Sequence, residues 1–184
     1  MKVIAAVGKN GSGKDFFLEY IRDKYGIPMV SIGDIARELA AGDGLELTRE
    51  NLHKTSQKYM GQYGQTFFPE KIAEKVLASG AAVYLISGIR PPSDVQFFKD
   101  KFGADFLLVD IAVSDDEVRY ARMLARGSAR DGTSAERLRE LDAAEEAKFN
   151  TSVSEKMADV AILNDGGKEE FFAAIEGFYA EYVA

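Results

Sequence analysis

Cysteine is absent from the 184 residues of the chain, and histidine occurs once, at His53. Without cysteine the chain has no disulfides, thiolate metal ligands or cysteine nucleophiles, which fits a reducing compartment. A single histidine excludes metal sites built on several histidines and disfavours a Ser–His catalytic triad. Because His53 lies in a polar helical stretch between Leu52 and Lys54, we expect it to be a solvated or packing side chain.

Long apolar runs and a basic excess are absent as well. No stretch approaches the roughly 20 apolar residues of a membrane span, and the apolar start breaks at Gly8-Lys9-Asn10, too early for a signal peptide. The chain carries 30 acidic and 23 basic residues, a formal net charge of −7, which disfavours broad electrostatic binding to nucleic acid. We therefore expect a cytoplasmic protein without membrane or nucleic-acid partners, and the sequence leaves the oligomeric state open.

What is present is an alternation of helical and strand patterns along the chain. This alternation favours an α/β fold with a mostly parallel sheet, and 184 residues suit one domain with a sizeable core. We find no internal repeat, low-complexity tract or interdomain linker. We expect a single domain over residues 1–184 with five parallel strands, at 2–7, 29–32, 81–86, 105–113 and 159–163.

Three kinds of signal mark where the helices begin. They are single capping residues, a proline at the first helical position, and a Ser or Thr followed by Glu three residues later, the capping box. In chain order these signals are Asp34, Thr48, Pro69, Ser114 with Glu117, and Thr133 with Glu136. The predicted helices span residues 15–25, 35–41, 49–61, 69–80, 93–102, 115–126, 134–156 and 168–182.

The first strand, a glycine-rich loop and the first helix form one motif, Gly8-x-x-x-x-Gly13-Lys14. This is the P-loop pattern, in which backbone N–H groups and a helix N-terminus cradle phosphates and the lysine reaches the β- and γ-phosphates. The alternative is a glycine turn with a chance lysine, which the order strand, loop and helix disfavours. We therefore predict ATP as a ligand, with binding residues Gly8, Asn10, Gly11, Ser12, Gly13, Lys14 and Asp15.

Asp15 stands where a P-loop usually has Ser or Thr. A carboxylate there can bind Mg²⁺ directly or through water, and the metal offsets the charge that Asp15 adds beside a triphosphate. Alternatively, Asp15 only stabilises the first helical turn through the helix dipole. We favour Asp15 as a metal ligand and Mg²⁺ as the cofactor that accompanies ATP.

Two isolated arginines, Arg37 and Arg90, follow the second and third predicted strands. In an open parallel sheet ligands lie at the carboxyl ends of the strands, and a guanidinium binds phosphate oxygens with two parallel hydrogen bonds. The alternative is two unrelated surface arginines. Together with a P-loop, the pair predicts a second phosphate, carried by a small acceptor.

A second group of arginines runs along one helix and into the loop beyond it, at positions 119, 122, 126 and 130. For Arg119 we favour a solvated helix face that pairs with the acidic segment 136–146. The others precede or lie in a polar segment, 127–133, that contains glycine. A mobile lid that carries arginines excludes water and stabilises transferring charge, so we predict a lid here.

These motifs resemble the nucleoside monophosphate kinase branch of P-loop kinases, in particular its adenylate kinase-related and dephospho-CoA kinase-like members. Ser31-Ile-Gly-Asp-Ile-Ala-Arg37 is similar to the adenylate kinase acceptor motif, and Ser87-Gly-Ile-Arg90 to the Asp-Gly-Phe-Pro-Arg segment. Arg122-x-x-x-Arg126 is similar to the arginine pair that precedes the lid, and residues 158–166 to the last strand and base-side loop. The chain departs from the family at Ser87, where an aspartate organises Mg²⁺, and at Asp94, where a glutamine reads adenine.

The resemblance implies a three-layer P-loop NTPase fold with a helical acceptor-binding insert, about 33–66, and a small lid, about 126–147. Its implied catalytic residues are Lys14, Arg90, Arg126 and Arg130. Its implied acceptor-binding residues are Ser31, Gly33, Asp34, Arg37, Gly88 and Arg90, and Arg122 and Asn164 join the ATP-binding set.

The expected function is ATP-dependent transfer of the γ-phosphoryl group to a phosphate-bearing, nucleotide-like acceptor, as in a nucleoside monophosphate kinase. Such a reaction depends on positioning and charge neutralisation, so the scarcity of histidine is no obstacle. One alternative is a dephospho-CoA kinase or another small-metabolite kinase. The alternative of a different class is a non-catalytic, ATP-binding regulatory protein.

Overall fold

Five strands form the centre of the molecule. The computed structural model describes residues 1–127 and 134–184, and its strands are β1 (Lys2–Val7), β2 (Met29–Ser31), β3 (Val83–Ser87), β4 (Phe106–Ala112) and β5 (Val160–Leu163). Their order across the sheet is β2-β3-β1-β4-β5, and each neighbouring pair is parallel. This confirms the predicted five-stranded parallel sheet of the α/β P-loop fold.

Helices connect the strands and cover both faces of the sheet. Among the residues described, no helix is both long and apolar enough to cross a bilayer. The helices are α1 (Lys14–Tyr25), α2 (Ile32–Gly42), α3 (Arg49–Tyr63), α4 (Phe67–Ser79), α5 (Pro92–Phe102), α6 (Asp116–Arg126), α7 (Ala135–Phe149), α8 (Thr151–Lys156) and α9 (Lys168–Tyr182).

The central strand β1 contributes to two hydrophobic cores, one on each face of the sheet. Val3, Ala5 and Val7 pack with α2, α4 and α5, whereas Ile4 and Ala6 pack with α1 and α9. Alternate side chains of a strand point to opposite faces, and a parallel strand covered on both faces is apolar throughout. The fold therefore has the three layers that the resemblance implies.

The register of the sheet brings the functional segments together at one edge. Ala5 of β1 pairs with Ile86 of β3, and Val7 pairs with Asp110 of β4. The loops that follow β1, β3 and β4 consequently leave the sheet side by side. This is the edge where parallel α/β sheets bind ligands.

Most predicted boundaries lie within two residues of those observed, but the start of α2 does not. We predicted Asp34 as its N-cap, and this is wrong. The cap is Ser31, whose Oγ accepts a hydrogen bond of 2.9 Å from the Asp34 N–H, while the Asp34 carboxylate accepts one of 2.8 Å from the Ser31 N–H. Asp34 is thus the second partner of a reciprocal capping box, and the helix begins at Ile32.

Three other helix starts also differ from the prediction. Helix α4 begins at Phe67, so Pro69 is its third residue, where an intrahelical N–H is still not required. Helix α6 is capped by Asp115 rather than Ser114, because the Asp115 carboxylate accepts from the Glu117 N–H at 2.9 Å. Helix α7 is capped by Ser134, and the predicted cap Thr133 lies outside the described residues.

The predicted long helix 134–156 is wrong, because the chain forms two helices that meet at Asn150. Asn150 has a φ of 54°, in the left-handed region that ends helices. The Glu146 carboxylate accepts hydrogen bonds from the Ser152 N–H and from the hydroxyls of Ser152 and Thr151. These hydrogen bonds lower the pKa of Glu146 and fix the turn between α7 and α8.

Candidate active site

The loop between β1 and α1 has the close packing that its glycines require. Gly8, Gly11 and Gly13 have φ values of 136°, 80° and 99°. A Cβ on Gly8 would lie 2.4 Å from the Ile111 carbonyl oxygen, and one on Gly13 would lie 2.7 Å from Asn164 Nδ2. Only glycine meets both demands, a positive φ and the close approach of neighbouring atoms, so the glycines determine the packing of the loop before α1.

Lys14, the first residue of α1, is available to a ligand. Within the described residues its ammonium forms no hydrogen bond or ion pair. Burial lowers the pKa of Lys14, and the carboxylates of Asp15 and Glu145 partly offset this effect. A partly desolvated ammonium gains from an anionic ligand, because a charge in a low-dielectric site is costly without a partner.

Asp15 is exposed in the first turn of α1. No group of three or more acidic or histidine side chains in the described ranges is arranged to hold a metal ion. A carboxylate beside the P-loop lysine nonetheless fits Mg²⁺ that is held mainly by nucleotide phosphates, because this ion prefers oxygen ligands and few carboxylates. The metal role of Asp15 stays a prediction.

Arg122 and Asn164, predicted to bind ATP, hold loops in place. The Asn164 amide donates a hydrogen bond of 2.7 Å to the Ser12 carbonyl oxygen. The Arg122 guanidinium donates to the carbonyl oxygens of Asn164, at 2.7 Å, and Gly166, at 2.9 Å. Both residues therefore support the P-loop and the loop after β5, and direct binding of ATP by either stays a prediction.

Arg119 pairs with the acidic helix as predicted, but its predicted solvation is wrong. Its side chain is 1% exposed and ion-paired with Asp116 at 2.7 Å and Asp142 at 2.6 Å. It also donates to the carbonyl oxygen of Asn10 in the P-loop. The guanidinium is enclosed because α7 packs on α6 through a small apolar cluster that includes Met123.

The acceptor-side arginine on α2 is paired within its own helix. Arg37 Nη2 lies 2.5 Å from the Asp34 carboxylate, and the Arg37 side chain remains 46% exposed. Burial alone would raise the pKa of Asp34, but hydrogen bonds from Arg37 and Ser31 lower it. Gly33 leaves room for this pair, since a Cβ there would lie 3.3 Å from Arg37 Nη1. Arg37 is at the predicted position with one partner already bound.

Arg90, after β3, contacts α7 and α8. Its Nε lies 3.1 Å from the Glu145 carboxylate, and its guanidinium lies over the Phe149 ring. The preceding Gly88 has a φ of 81°, which turns the chain at the end of β3. Glu145 was not among the predicted site residues. Its spacing of three from Asp142 on an acidic helix was the available signal, because residues i and i+3 share a helix face.

The remaining predicted arginines are only partly described. Arg126 is the last residue of α6. Arg130 and the rest of the predicted mobile segment, 128–133, lie outside the described residues. Helix α7, which belongs to the predicted lid region 126–147, is described and lies against the P-loop through Glu145 and Asn10.

A cavity of about 360 Å³ separates the P-loop from α7 and α8. Its volume falls in the range of small-molecule sites. The P-loop supplies one wall, and four carboxylates contribute to the other. Its lining residues include Gly8, Asn10, Asp142 and Glu145.

Three carboxyl groups near this edge of the sheet have raised pKa values. Burial raises the pKa of Asp94, in the first turn of α5, to about 7 and that of Asp110 to about 6. For Glu155 of α8, burial and the charge of Asp110 both raise the pKa, and its Oε1 has no hydrogen-bond partner in the described residues. With these pKa values, Asp94 and Asp110 titrate closer to neutral pH than exposed aspartates do.

Comparison with known proteins identifies the family. An AAA domain profile matches residues 7–139. A UPF0200 protein from Thermococcus kodakarensis is 32% identical over 184 residues, which cover 99% of this chain and 98% of that one. The chain belongs to the UPF0200 family. A UPF0200/UPF0201 protein from Archaeoglobus fulgidus is 38% identical over 177 residues, and here the match spans 95% of this chain but 54% of the longer relative.

Solved structures with the same fold include two kinases. A shikimate kinase from Bacteroides thetaiotaomicron superposes with a TM-score of 0.61 at 16% identity, covering 98% of this chain and 97% of that one. A gluconokinase from Sinorhizobium meliloti superposes with a TM-score of 0.56 at 16% identity, with coverage of 98% and 97%. The UPF0200 chain therefore has the fold of small P-loop kinases. The finer resemblance to nucleoside monophosphate kinases stays a prediction.

Proposed function

We propose that this UPF0200 protein is an ATP-dependent phosphotransferase that moves the γ-phosphoryl group of ATP to a phosphate-bearing, nucleotide-like acceptor. The observation that supports it best is the bridge from Asn10 of the P-loop through Glu145 to Arg90. This bridge links a candidate phosphate-binding loop and a candidate acceptor arginine through one carboxylate. Phosphoryl transfer needs both groups within reach of each other.

On the donor side, the N–H groups of the loop and the Lys14 ammonium hold the phosphates of ATP. Asn164 and Arg119 keep the loop in shape through its carbonyl oxygens. Asp15, together with the phosphates, would hold Mg²⁺, which would supply charge neutralisation. The half-buried environment of Lys14 strengthens its attraction to phosphate oxygens.

On the acceptor side, Arg37 and Arg90 orient the acceptor phosphate through their guanidinium groups. Arg126 and Arg130 then meet the charge that develops on the moving phosphoryl group, where arginines contribute on the order of 10³–10⁵ in rate. Helix α7 excludes water from the transfer site, which limits hydrolysis of ATP.

The test is a coupled ADP-release screen of the purified protein with Mg²⁺ and ATP. The panel contains nucleoside monophosphates, dephospho-CoA and small phosphorylated metabolites. We expect at least one nucleotide-like acceptor to raise ADP release well above the rate without acceptor. ADP release that no acceptor stimulates contradicts the proposal.

A second candidate is a dephospho-CoA kinase or a kinase of another small metabolite. It is favoured by the pairing of each acceptor-side arginine with a carboxylate, Arg37 with Asp34 and Arg90 with Glu145. Such pairs leave less positive charge for the dianionic monophosphate of a nucleotide, and dephospho-CoA carries a diphosphate diester instead of that group. Stimulation by dephospho-CoA or by a small metabolite, without stimulation by nucleoside monophosphates, would select this candidate in the same screen.

A third candidate is a non-catalytic, ATP-binding regulatory protein. The observation in its favour is Ser87, which ends β3 where the kinases it resembles have the aspartate that organises Mg²⁺. Tight binding of ATP, without ADP release in the presence of any acceptor, would select this candidate.

A further inference from the structure

Arg90 is held at three points by α7 and α8. Its Nε lies 3.1 Å from Glu145 Oε1. The centre of the Phe149 ring lies 5.4 Å from its guanidinium carbon. The hydroxyl of Ser154, which is 1% exposed, donates a hydrogen bond of 2.6 Å to the Arg90 carbonyl oxygen. Backbone and side chain of Arg90 thus both have partners on α7 and α8, while the side chain remains 48% exposed.

The two side-chain contacts suit a guanidinium. Glu145 and Phe149 are four residues apart on α7, so they lie on one face of the helix. A carboxylate pairs with a guanidinium edge, and an aromatic ring stacks on its flat face. Within the described residues, Nη1 and Nη2 of Arg90 donate no hydrogen bond. The two terminal nitrogens therefore remain for a ligand.

Glu145 also connects this arginine to the P-loop. Its second oxygen, Oε2, accepts a hydrogen bond from the Asn10 side-chain amide, and its charge acts on Lys14. The Glu145 side chain is 21% exposed and that of Arg90 is 48% exposed, so water reaches the ion pair mainly from the arginine side. A single carboxylate thereby sets the distance between the P-loop and Arg90.

We propose that Glu145 is a positioning residue for Arg90 and that Phe149 assists it by stacking on the guanidinium. The two side chains remove rotamer freedom from a long side chain in advance, which reduces the entropy lost when the acceptor binds. They leave Nη1 and Nη2 to bind the anionic group of the acceptor. The inference rests on the proposed function only in assigning Arg90 to the acceptor.

The first test measures the binding of free guanidinium to a variant that lacks Arg90, and it needs no enzymatic activity. If Glu145 and Phe149 form a guanidinium site, Arg90→Ala leaves that site empty and able to bind free guanidinium. Binding of ¹³C-guanidinium is followed by ligand-observed NMR at concentrations far below those that unfold proteins. Sodium chloride at equal ionic strength controls for screening.

We expect saturable guanidinium binding to Arg90→Ala, about tenfold weaker binding when Glu145→Gln is added, and no change when Glu140→Gln is added. Glu140 is the matched control, since it lies on the same helix and is exposed in an ion pair with Arg137. Phe149→Leu in the Arg90→Ala background gives a second readout if the glutamine variant folds poorly. Absence of binding to Arg90→Ala, or equal binding with and without Glu145, overturns the inference.

The second test uses the kinetics of the acceptor found in the ADP-release screen. Glu145→Gln in the otherwise unchanged protein should raise the acceptor KM about tenfold and the ATP KM less than about twofold. A fall in acceptor KM would mean that Glu145 competes with the acceptor, and equal changes in both KM values would mean a general structural role. Either result overturns the inference. Failure of the proposed function appears separately, as ADP release without any stimulating acceptor.

Discussion

The P-loop and the proposed acceptor side, at Arg37 and Arg90, are built in different ways. On the P-loop side the proposed binding groups are backbone N–H groups and Lys14, which has no partner in the described residues. On the proposed acceptor side the candidate binding groups are arginine side chains, and each has a carboxylate partner, Asp34 for Arg37 and Glu145 for Arg90. The P-loop side therefore has an unpaired cation for a ligand phosphate within the described residues, whereas the arginines of the proposed acceptor side are paired with carboxylates of the chain itself.

This difference has a physical consequence for binding. A loop fixed by glycine geometry and by its neighbours loses little freedom on binding a phosphate, so its affinity depends on few side chains. Arginines held by carboxylates are pre-oriented, but a charged acceptor must share them with those carboxylates. We therefore expect losses on the P-loop side to affect ATP and losses on the acceptor side to affect the acceptor selectively.

The largest expected effect tests the P-loop side. Lys14→Ala should abolish phosphoryl transfer and weaken ATP binding about 10- to 150-fold, since a hydrogen bond to a charged group contributes about 1.5–3 kcal/mol. Calorimetric titration with ATP measures the affinity, and thermal unfolding checks the fold. Lys71→Ala, which removes an exposed ammonium paired with Glu74, serves as the control. Wild-type turnover of a folded Lys14→Ala protein would show that the P-loop does not hold the transferred phosphates.

The next effect tests the selectivity of the acceptor side. Arg37→Ala and Arg90→Ala should each raise the acceptor KM about 10- to 100-fold. They should leave ATP affinity nearly unchanged, because in the proposed function these two guanidinium groups bind the acceptor and not ATP. Initial rates at varied acceptor and ATP concentrations separate the two constants. Arg22→Ala, on an exposed part of α1, is the control. Equal losses for both ligands would erase the distinction between the two sides.

A stability measurement tests whether Arg119 holds the P-loop in place. Arg119→Met leaves the carboxylates of Asp116 and Asp142 without their buried partner and removes a donor to the P-loop. Breaking a buried ion pair by removing one partner costs about 3–5 kcal/mol of unfolding free energy. Urea unfolding monitors the loss. Arg137→Met, in an exposed pair, should change stability by less than about 1 kcal/mol. Similar small changes for both variants would mean that Arg119 does not hold the loop.

The pH dependence of stability tests the burial of Asp94. Burial raises its pKa to about 7, against about 3.9 in an unfolded chain. Between these values the folded state binds more protons, so its stability is complete below about pH 4 and declines as the pH rises to about 7.

Asp94→Asn removes this decline, so at pH 8 the variant should be more stable than the wild type by on the order of 2–4 kcal/mol, with no gain at pH 4. Urea unfolding from pH 4 to pH 8 provides the values. Asp100→Asn, on an exposed position of the same helix, should follow the wild-type profile. A variant profile parallel to the wild type would show that Asp94 titrates normally.

The smallest effect concerns Asp15. If its carboxylate holds Mg²⁺, Asp15→Asn should raise the Mg²⁺ concentration for half-maximal rate by about tenfold, the lower end of the loss expected when a metal site loses a supporting partner. Rates at saturating ATP and varied Mg²⁺ measure this. Unchanged metal dependence would leave Asp15 with its interaction with the helix dipole alone.

The conformation of the P-loop was predictable from the sequence, because it depends on residues that are close together in the chain. Glycines at 8, 11 and 13 have the positive φ values that a phosphate loop needs, and the order of strand, loop and helix is a short-range property. The five parallel strands were also predictable, because buried parallel strands are continuous apolar runs. Thr48 was correctly identified as the cap of α3 for the same local reason.

The acceptor side was less predictable because its partners come from distant parts of the chain. The ion pair of Arg90 with Glu145 spans 55 positions, and no local pattern indicates it. Arg119 was predicted to lie on a solvated helix face, but the packing of α7 on α6 buries it. The break at Asn150 depends on hydrogen bonds from Ser152 and Thr151 to Glu146, which compete with helix continuation.

Direct observation of the transferred phosphoryl group tests the central claim. With Mg²⁺, ATP and the acceptor selected by the screen, ³¹P NMR follows the γ-phosphoryl group over time. We expect the γ signal to decrease while the signals of ADP and of the phosphorylated acceptor grow. With Lys14→Ala we expect none of these changes. Release of the γ-phosphoryl group only as inorganic phosphate, or transfer that persists with Lys14→Ala, would contradict it.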